Sequence, residues 1–556
     1  MLAAALAAPF LFTGLGAVPF DDPGEGMHAE IARELAVSRD PLRLTLDGVR
    51  YVDKPPLLYV LLAAAFAVGG HGEAVARSVA AAGALVAVAA TAWLGGRLCG
   101  MAWGLLAGVA LLSSCGFFAY GRYVRPETIF LASLSGGFAL LLSALVADRR
   151  GVATAGLAVF GLAALAKDPL GAILPPLAVG VALAAAGRCR PVRAWLPWPG
   201  VAALTIIGFA WYAAAAVATP GFAWYTVVDN HVLNVARARY FRDEDVPLSA
   251  VEFLLVAVLG AAPWVMPATA AVGRLLRGQA WRDPHETPWI ALALWAAGVL
   301  SVTALSPFRL PHYGLPAYPA IALLAARGWS QSGRPLVLLH AGLFAALAFA
   351  CGIAWASDGA LLARVLDVAD VATRKGGAAA ALDPAPFVPL LAAGVLAFGA
   401  GAAALAALGI RRQANVRAAT VTAATLLAVL PCVALGLQTV ASARTVRPIA
   451  LELARRAGTD DVIVHEGPLE NSGALPWYSG RLATIVDGER SVLGFGATRD
   501  ESHDVFWDRG RLAAAWTASG RVWLVTARAE EASVVAALPG PRLVASAGGR
   551  RLYVNR

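Results

Sequence analysis

Charged side chains are concentrated in residues 20–59 of a chain that is 59% hydrophobic. Asp22 and Glu25 stand near the start of this stretch, and Asp53 and Lys54 are adjacent near its end. A carboxylate can accept a proton, and a lysine ammonium can bind phosphate as a point charge. The two prolines after Lys54 restrict the backbone and oppose helix formation there. The stretch therefore holds groups suited to acid–base chemistry and to phosphate binding.

Further polar groups interrupt the later apolar segments at four places. They are Arg122, Arg125 and Glu127; Lys167; His231; and Arg309, His312 and Tyr313. Arginine binds phosphate or carboxylate through paired N–H groups, and histidine binds metals or transfers protons. Structural alternatives stay open for each place, namely buried ion pairs, charges that hold a helix break, a hydrogen-bonded histidine or a tyrosine anchored at a membrane surface.

The composition places these groups in a membrane protein. Only 15% of the residues are charged and the mean hydropathy is +0.66, whereas soluble proteins have about 25% charged residues. A helix crosses the hydrocarbon core with about 20 apolar residues. We predict thirteen such helices, over residues 2–18, 75–96, 101–119, 128–147, 152–166, 169–187, 199–217, 249–273, 287–305, 315–329, 335–356, 386–408 and 418–442.

Arginines set the predicted orientation, and the net charge of +9 therefore does not indicate nucleic-acid binding. Leu57–Gly70 is too short to cross the membrane and is predicted to be an interfacial or re-entrant helix. With the N-terminus inside, every inner loop is basic, as the positive-inside rule requires. These loops hold Arg97; Arg149 and Arg150; Arg188, Arg190 and Arg193; Arg274, Arg277 and Arg282; Arg327 and Arg334; and Arg411, Arg412 and Arg417. The candidate polar groups then all lie on the outer side, where we expect one site at the membrane boundary.

The last part of the chain has a different pattern. Residues 1–442 form the predicted transmembrane domain, with a first outer loop over 19–74, and residues 443–556 form a small α/β domain. Within the tail, we predict helices over Arg447–Arg456 and Ala529–Leu538, and strands over Asp461–His465, Leu482–Val486, Arg521–Thr526 and Leu552–Val554. The fold class is thus an α-helical polytopic membrane protein with about 13 transmembrane helices and a C-terminal α/β domain. The five cysteines show no metal-ligand spacing.

Six collinear motifs resemble the GT-C class of membrane glycosyltransferases, in the group of bacterial aminoarabinose transferases and protein O-mannosyltransferases (family 39/83-like). They are DPGEGMHAEIAREL, DGVRYVDKPPLLY, GRYVRPET, LAALAKDPLGAILP, WYTVVDNHVLNVA and SPFRLPHYGLPAYPAIALL. The motifs cover most of residues 1–330. The tail is similar in position and size to the soluble periplasmic domain of that family.

The resemblance implies roles for the polar residues. Catalytic roles go to Glu25, Asp22 and Glu127; donor phosphate binding to Lys54, Arg122, Arg125, Lys167 and Arg309; substrate binding to His312 and Tyr313; and a divalent metal (Zn, Mg or Mn) to Asp53 and His231. Gly24 stands where the family usually has its favoured catalytic aspartate. Either Glu25 or Asp22 then covers that role, or the reaction proceeds without it, as an acceptor phosphate would allow.

The expected function is that of an inverting glycosyltransferase in the bacterial inner membrane. It would move a sugar from a polyprenyl-phosphate donor to a lipid, glycan or protein acceptor at the periplasmic face, and lipid A modification is the nearest analogy. Two alternatives stay open. A polyprenyl-lipid transporter or flippase would place its ionisable residues near the middle of the membrane and show repeated halves, and a catalytically silent homologue would only bind the lipid.

Overall fold

The structure, a computed structural model, describes residues 1–147, 149–188, 191–242, 244, 246–369, 382–410 and 415–556. Arg190, Arg411 and Arg412 of the predicted inner loops lie outside these residues. The N-terminal helices are α1 (Leu2–Phe12), α2 (Glu25–Ser38), α3 (Leu57–Gly69), α4 (Glu73–Cys99), α5 (Met101–Ser113), α6 (Cys115–Tyr120), α7 (Glu127–Ala147), α8 (Arg150–Ala166) and α9 (Leu170–Ala185). The central helices are α10 (Trp198–Ala218), a π-helix (Trp224–Leu233), α11 (Ala250–Gly260), α12 (Val265–Arg277), α13 (Thr287–Leu305), a 3-10 segment (Pro311–Ala317), α14 (Tyr318–Ser330), α15 (Arg334–Ala356), α16 (Ala360–Ala369), α17 (Val388–Ile410) and α18 (Asn415–Arg444).

All thirteen predicted spans coincide with helices, although many are shorter than predicted. Among the described residues, seven helical stretches are long and apolar enough to cross a membrane by themselves. An eighth would combine α11 and α12, which meet at an angle of 103°. The remaining spans correspond to helices of 11 to 17 residues, such as α1 and α8, or to helices broken at their outer end. The helical polytopic fold is confirmed.

The first outer loop forms α2, a two-residue hairpin and α3. Strands β1 (Thr45–Leu46) and β2 (Val49–Arg50) pair antiparallel around Asp47 and Gly48, which both have positive φ. Asp-Gly is a favoured pair for such a hairpin turn. The amphipathic pattern of Glu25–Ser38 predicts a helix with Met27, Ile31 and Leu35 on one face and His28, Glu30, Arg33 and Glu34 on the other. The helix is confirmed as α2, but the second face is partly buried. His28 and Glu30 are buried with the apolar residues. His28 packs against α3, where its Nδ1 lies 3.0 Å from the Tyr59 hydroxyl, and Glu30 binds Arg33 one turn later on α2.

The tail is built on one six-stranded sheet. Its elements are α19 (Arg447–Arg456), β3 (Val462–Glu466), α20 (Leu475–Ser479), β4 (Thr484–Val486), α21 (Gly494–Ala497), β5 (Phe506–Trp507), α22 (Arg509–Thr517), β6 (Val522–Thr526), β7 (Arg542–Ala547) and β8 (Arg550–Val554). The strand order is β5-β4-β3-β6-β8-β7, parallel from β5 to β6 and antiparallel beyond. The helix predicted over Ala529–Leu538 is wrong, since two short 3-10 turns occupy it. The boundary at residue 442 stays a prediction.

Buried carboxylates fasten the first outer loop to the tail. Asp22 accepts hydrogen bonds from the backbone N–H groups of Val446 and Ala474, at 3.0 and 3.1 Å. Asp47 accepts from the N–H of Ala483 at 3.0 Å. Burial raises the pKa of Asp22 from 3.8 to about 6. The first outer loop therefore lies between the tail on one side and the membrane helices on the other.

Candidate functional site

A cavity of about 990 Å³ lies where the outer loops meet the membrane helices. One part of its wall is strongly cationic and includes Lys54, Arg125 and Lys167. These residues come from three loops that are far apart in the sequence. The structure thus brings three of the five predicted phosphate-binding groups together in one wall of the cavity.

Lys54 is held at the cavity by its neighbour. Its Nζ lies 2.6 Å from Oδ2 of Asp53, whose Oδ1 accepts a hydrogen bond from the Tyr225 hydroxyl at 3.3 Å. Although burial disfavours the ammonium, the Asp53 carboxylate raises the pKa of Lys54 above its ordinary value. Lys54 therefore stays charged at every physiological pH and presents a fixed cation to the cavity.

Glu127 is buried and contacts three side chains, so it is not accessible as a base. Its Oε1 lies 3.0 Å from Nζ of Lys167 and 3.3 Å from Nε2 of His312. Its Oε2 lies 3.4 Å from Nε of Arg125. The Lys167 ammonium also lies over the Tyr313 ring, 4.9 Å from its centre. Glu127 thus positions the cations, while His312 and Tyr313 complete the same wall of the cavity.

His231 reaches the cavity but pairs with Asp168 instead of Asp53. Its Nε2 lies 3.2 Å from Oδ2 of Asp168, and its Nδ1 lies 2.6 Å from the Thr226 carbonyl oxygen. The hydrogen bond to Asp168 raises the pKa of His231. Since both ring nitrogens face oxygen acceptors, the imidazolium form satisfies both.

The side chains as they stand do not fit the divalent metal that the resemblance implies. Asp53 is engaged by Lys54, and His231 by Asp168. Within the described ranges, no three His, Cys, Asp or Glu side chains come together in a way that could hold a metal ion. The metal stays a prediction from the resemblance, and no chemical step below depends on it.

Glu25 and Asp22, the two candidate bases near the start of the first outer loop, both bind other groups of the protein. Glu25 is buried and forms a bidentate ion pair with Arg77, at 2.6 and 2.9 Å, and it also accepts from the Val124 N–H. Asp22 faces the tail and does not line the cavity. Each Glu25 carboxylate oxygen accepts two hydrogen bonds, one from Arg77 and one from the N–H of Asp21 or Val124, so neither oxygen is open to an acceptor hydroxyl. The structure therefore gives neither residue the surroundings of a general base.

Two of the predicted phosphate-binding arginines hold the backbone. Arg122 donates to the carbonyls of Phe10 and Thr13, each at 2.6 Å, which caps the C-terminal end of α1. Arg309 donates to the Leu248 carbonyl at 2.7 Å and to the Ser306 carbonyl, and it does not line the cavity. Arg122 does reach the cavity wall. Neither geometry supports a primary role in binding phosphate.

Arg77 and Asp168 are site residues for which no specific role was predicted from the sequence. Arg77 is a charge inside the predicted span 75–96, and its guanidinium also donates to the carbonyls of Leu15 and Val18. A charged residue in a span is by default functional or paired, so its position alone was a usable signal. The sequence indicated Asp168 only as part of the predicted helix break that follows Lys167.

An apolar groove opens from the cationic wall towards the membrane helices. Leu170, Leu174, Leu177 and Val181 line it along one face of α9 at helical spacing. Leu294, Val299 and Val302 of α13 face them across the groove. Several of these side chains are exposed, with Leu177 at 56% and Val302 at 64%. A molecule with an anionic head and a long hydrocarbon chain fits this arrangement.

Comparison with known proteins agrees with the resemblance seen in the sequence. Residues 53–213 match the family described as dolichyl-phosphate-mannose-protein mannosyltransferase. The chain is 28% identical over 317 residues to undecaprenyl phosphate-alpha-4-amino-4-deoxy-L-arabinose arabinosyl transferase 1 of Sodalis glossinidius (strain morsitans), a match covering 55% of this chain. The chain spans about half the length of that curated relative, 54%.

Solved structures show the same fold. ArnT from Cupriavidus metallidurans bound to undecaprenyl phosphate superposes with a TM-score of 0.79 at 22% identity, over 100% of this chain and 97% of that one. The archaeal oligosaccharyltransferase AglB from Archaeoglobus fulgidus is more distant, with a TM-score of 0.50 at 11% identity, over 94% and 69%. The chain thus has the GT-C fold, and its resemblance to the aminoarabinose transferase group is confirmed.

Proposed function

We propose that this chain is an inverting glycosyltransferase that takes a sugar from a polyprenyl-phosphate donor at the periplasmic face of the bacterial inner membrane. The observation that carries this proposal is the junction of a cationic wall and an apolar groove in one cavity. The groove between α9 and α13 would hold the start of the hydrocarbon chain. The cations would hold the phosphate at the lipid–water boundary, which the chain prevents the donor from leaving.

The leaving phosphate needs positive charge more than it needs a proton. As the bond between the anomeric carbon and the phosphate oxygen breaks, its electron pair stays on that oxygen. Lys54 and Lys167, fixed by Asp53 and Glu127, are placed to stabilise the developing charge. The acceptor attacks the opposite face of the sugar, which inverts the anomeric centre.

The proposed orientation rests on the distribution of arginine. Arg97, Arg274 and Arg327 lie at helix ends that face away from the cavity loops in the alternation of spans. Basic groups mark the cytoplasmic side of a membrane protein. The cavity and the tail then lie on the periplasmic side, and protease digestion of spheroplasts should release the tail.

Transfer by the purified protein tests the proposal directly. We expect protein in lipid nanodiscs to move labelled sugar from a polyprenyl-phosphate donor, and Lys54→Ala to reduce the rate by about 100- to 1,000-fold, as loss of one oxyanion-stabilising donor does. Arg43→Ala is a matched control, because it removes an exposed cation paired with Glu501 on the outer surface. Its rate should stay within about twofold of the wild type.

The other outcomes separate the rival functions. Equal rates for the wild type and Lys54→Ala would contradict the role of Lys54. Donor binding by the wild type without transfer to any acceptor would favour a silent lipid-binding homologue. Movement of intact donor across proteoliposomes, again without transfer, would favour a flippase.

A further inference from the structure

The short helix α21 of the tail lies directly against the strand that leads to Lys54. A Cβ on Gly496 would lie 2.3 Å from the Arg50 carbonyl oxygen and 2.7 Å from Cγ1 of Val49. Both neighbours belong to β2, and only three residues separate Arg50 from Lys54. Atoms at these distances would overlap, so any side chain at position 496 would displace β2 or α21. The tail therefore fixes the backbone just before the predicted phosphate-binding lysine.

Phe495, the residue before this glycine, packs on the π-helix. It is 4% exposed, and its ring centre lies 5.2 Å from that of Tyr225. These two side chains belong to one buried cluster that includes Val52, which directly precedes Asp53. Aromatic rings at this separation attract each other at preferred angles. Phe495 therefore joins the tail to the two segments that carry Asp53 and Tyr225.

Tyr225 connects this cluster to the charged pair in the cavity. Its hydroxyl donates to Oδ1 of Asp53 at 3.3 Å, and Oδ2 of the same carboxylate lies 2.6 Å from Nζ of Lys54. A lysine has a flexible carbon stem, and its ammonium stabilises a developing charge best where it is held in place beforehand. The contacts run without a break from Phe495 through Tyr225 and Asp53 to Lys54.

Two arginines of the tail contact the chain on either side of the π-helix. Arg499 donates to the Pro220 carbonyl before the π-helix, and its guanidinium lies 4.3 Å from the centre of the Phe495 ring. Arg528 lies 3.6 Å from a carboxylate oxygen of Glu244, which follows the π-helix. The tail thus contacts the segment that carries Tyr225 before, within and after the π-helix.

We infer that α21 of the tail positions Lys54 for sugar transfer, through Gly496 against β2 and through Phe495 and Tyr225 against Asp53. This inference rests on the proposed function and gives the tail a role in it. None of Phe495, Gly496 and Tyr225 is among the described residues that line the cavity. They are therefore positioning residues, which act on the reaction through Asp53 and Lys54.

Tyr225→Phe tests the last contact, because it keeps the ring and removes only the hydroxyl. With the full-length protein in lipid nanodiscs, we expect kcat for transfer to fall by about tenfold, the loss of one hydrogen bond to a charged group. KM for the donor should stay within about twofold, because the groove between α9 and α13 still binds the hydrocarbon chain.

Tyr240→Phe is the matched control, since it removes a hydroxyl from the same outer loop. Tyr240 is 72% exposed, and its ring lies against Phe241. Its kcat and KM should equal those of the wild type. A wild-type kcat for Tyr225→Phe as well would overturn the inference.

A Lys54→Ala background shows whether the positioning residues act through the lysine. In this background, Tyr225→Phe and Phe495→Leu should each change kcat by less than about twofold, because residues that act through one another are not additive. The same tenfold loss in both backgrounds would overturn the inference, since the effect would then be a general one on the fold. Absence of transfer by the wild type would instead contradict the proposed function.

Hydrogen exchange provides a readout that does not require transfer. The backbone N–H groups of residues 49–54 should lose protection in Phe495→Leu, because the cluster around Val52 loses its contacts with the ring. Leu543→Ala on β7 is the control in the same domain, since Leu543 is 56% exposed. Equal protection of residues 49–54 in the wild type and both variants would overturn the inference, whether or not the wild type transfers sugar.

Discussion

At the scale of single residues, Glu127 determines how the cations of the cavity are held. It lies at the start of α7, is 2% exposed and contacts Lys167, His312 and Arg125. Without its charge, the lysine and arginine would repel one another with no nearby counter-ion. The geometry of Glu127 is therefore that of a positioning group, whereas the family resemblance implies a catalytic role.

Glu127→Gln should destabilise the protein strongly. Removal of one partner from a buried ion pair costs about 3–5 kcal/mol, and we expect the lower half of this range because glutamine keeps the shape. The measurement is the unfolding midpoint in nanodiscs. Glu501→Gln is the control, because Glu501 is 43% exposed and pairs with Arg43 at the surface, where such pairs contribute about 0–1 kcal/mol. Equal midpoints for both variants would contradict the role of Glu127.

Asp22 should make the stability of the protein depend on pH. Its pKa is raised from 3.8 to about 6 in the folded protein by burial, so the folded state binds a proton more tightly than the unfolded state. The contribution of Asp22 is fully present below pH 3.8 and is lost as pH rises to about 6, a change on the order of 3 kcal/mol. The unfolding midpoint of Asp22→Asn should therefore fall less than that of the wild type between pH 4 and pH 7.

An exposed aspartate provides the comparison for Asp22. Asp504 is 96% exposed, and Asp504→Asn should keep the pH profile of the wild type. A profile for Asp22→Asn that matches both others would show that the Asp22 carboxyl titrates in the same way in the folded and unfolded states. That result would contradict burial of the Asp22 carboxyl as the cause of its raised pKa.

At the scale of elements, α9 and α13 define the groove for the donor chain. Leu177 projects into the groove, and Leu177→Trp would fill it. We expect KM for a long-chain polyprenyl donor to rise by about tenfold, corresponding to the 1–3 kcal/mol cost of overpacking. A short-chain donor should show little change, which separates a blocked groove from a damaged site. Leu339→Trp on α15 is the control, since Leu339 is 53% exposed and does not line the cavity.

The contact between α2 and α20 requires glycine at one position. A Cβ on Gly26 would lie 2.3 Å from the Cβ of Ala474 and 2.4 Å from its backbone nitrogen. Gly26→Ala should favour the helix by about 1 kcal/mol, yet we expect a net loss of stability and faster proteolysis between loop and tail. Gly72→Ala has open space around it and should change neither. A stabilised Gly26→Ala would show that the tail does not press on α2.

The sequence predicted the helices and strands better than it predicted which side chains they bury. The thirteen spans, α2, α19 and four strands of the tail follow from hydropathy and periodicity, which are local properties. The burial of α2 could not be predicted in this way, because it depends on contacts between elements, such as those of His28 with Tyr59 of α3 and of Gly26 with Ala474 in the tail. The Ala529–Leu538 helix failed for a related reason, since Glu466 accepts hydrogen bonds from Ser533 and the Val534 N–H and holds that segment in turns.

At the scale of the whole molecule, loop alternation predicted a shared cavity for residues that are far apart in the sequence, although Asp22 and Arg309 do not line it. Lys54, Arg125, Lys167, His231 and His312 all line it, although they come from five separate loops. The alternation of inner and outer loops does not predict which neighbouring side chain each residue pairs with. His231 therefore pairs with Asp168 rather than Asp53, and Glu25 with Arg77, through contacts set only by helix packing.

The first outer loop is synthesised early, but it reaches its final structure only when α18 and the tail are in place. Asp21 pairs with Arg444 at the end of α18, and Asp22 and Asp47 bind backbone groups that follow it. A nascent chain emerging from the ribosome must therefore insert every span and finish the tail before Lys54 and its neighbours take their final positions. Polypeptides that stop short by premature termination would therefore reach the bilayer with a first outer loop that lacks its partners at Arg444, Val446 and Ala483.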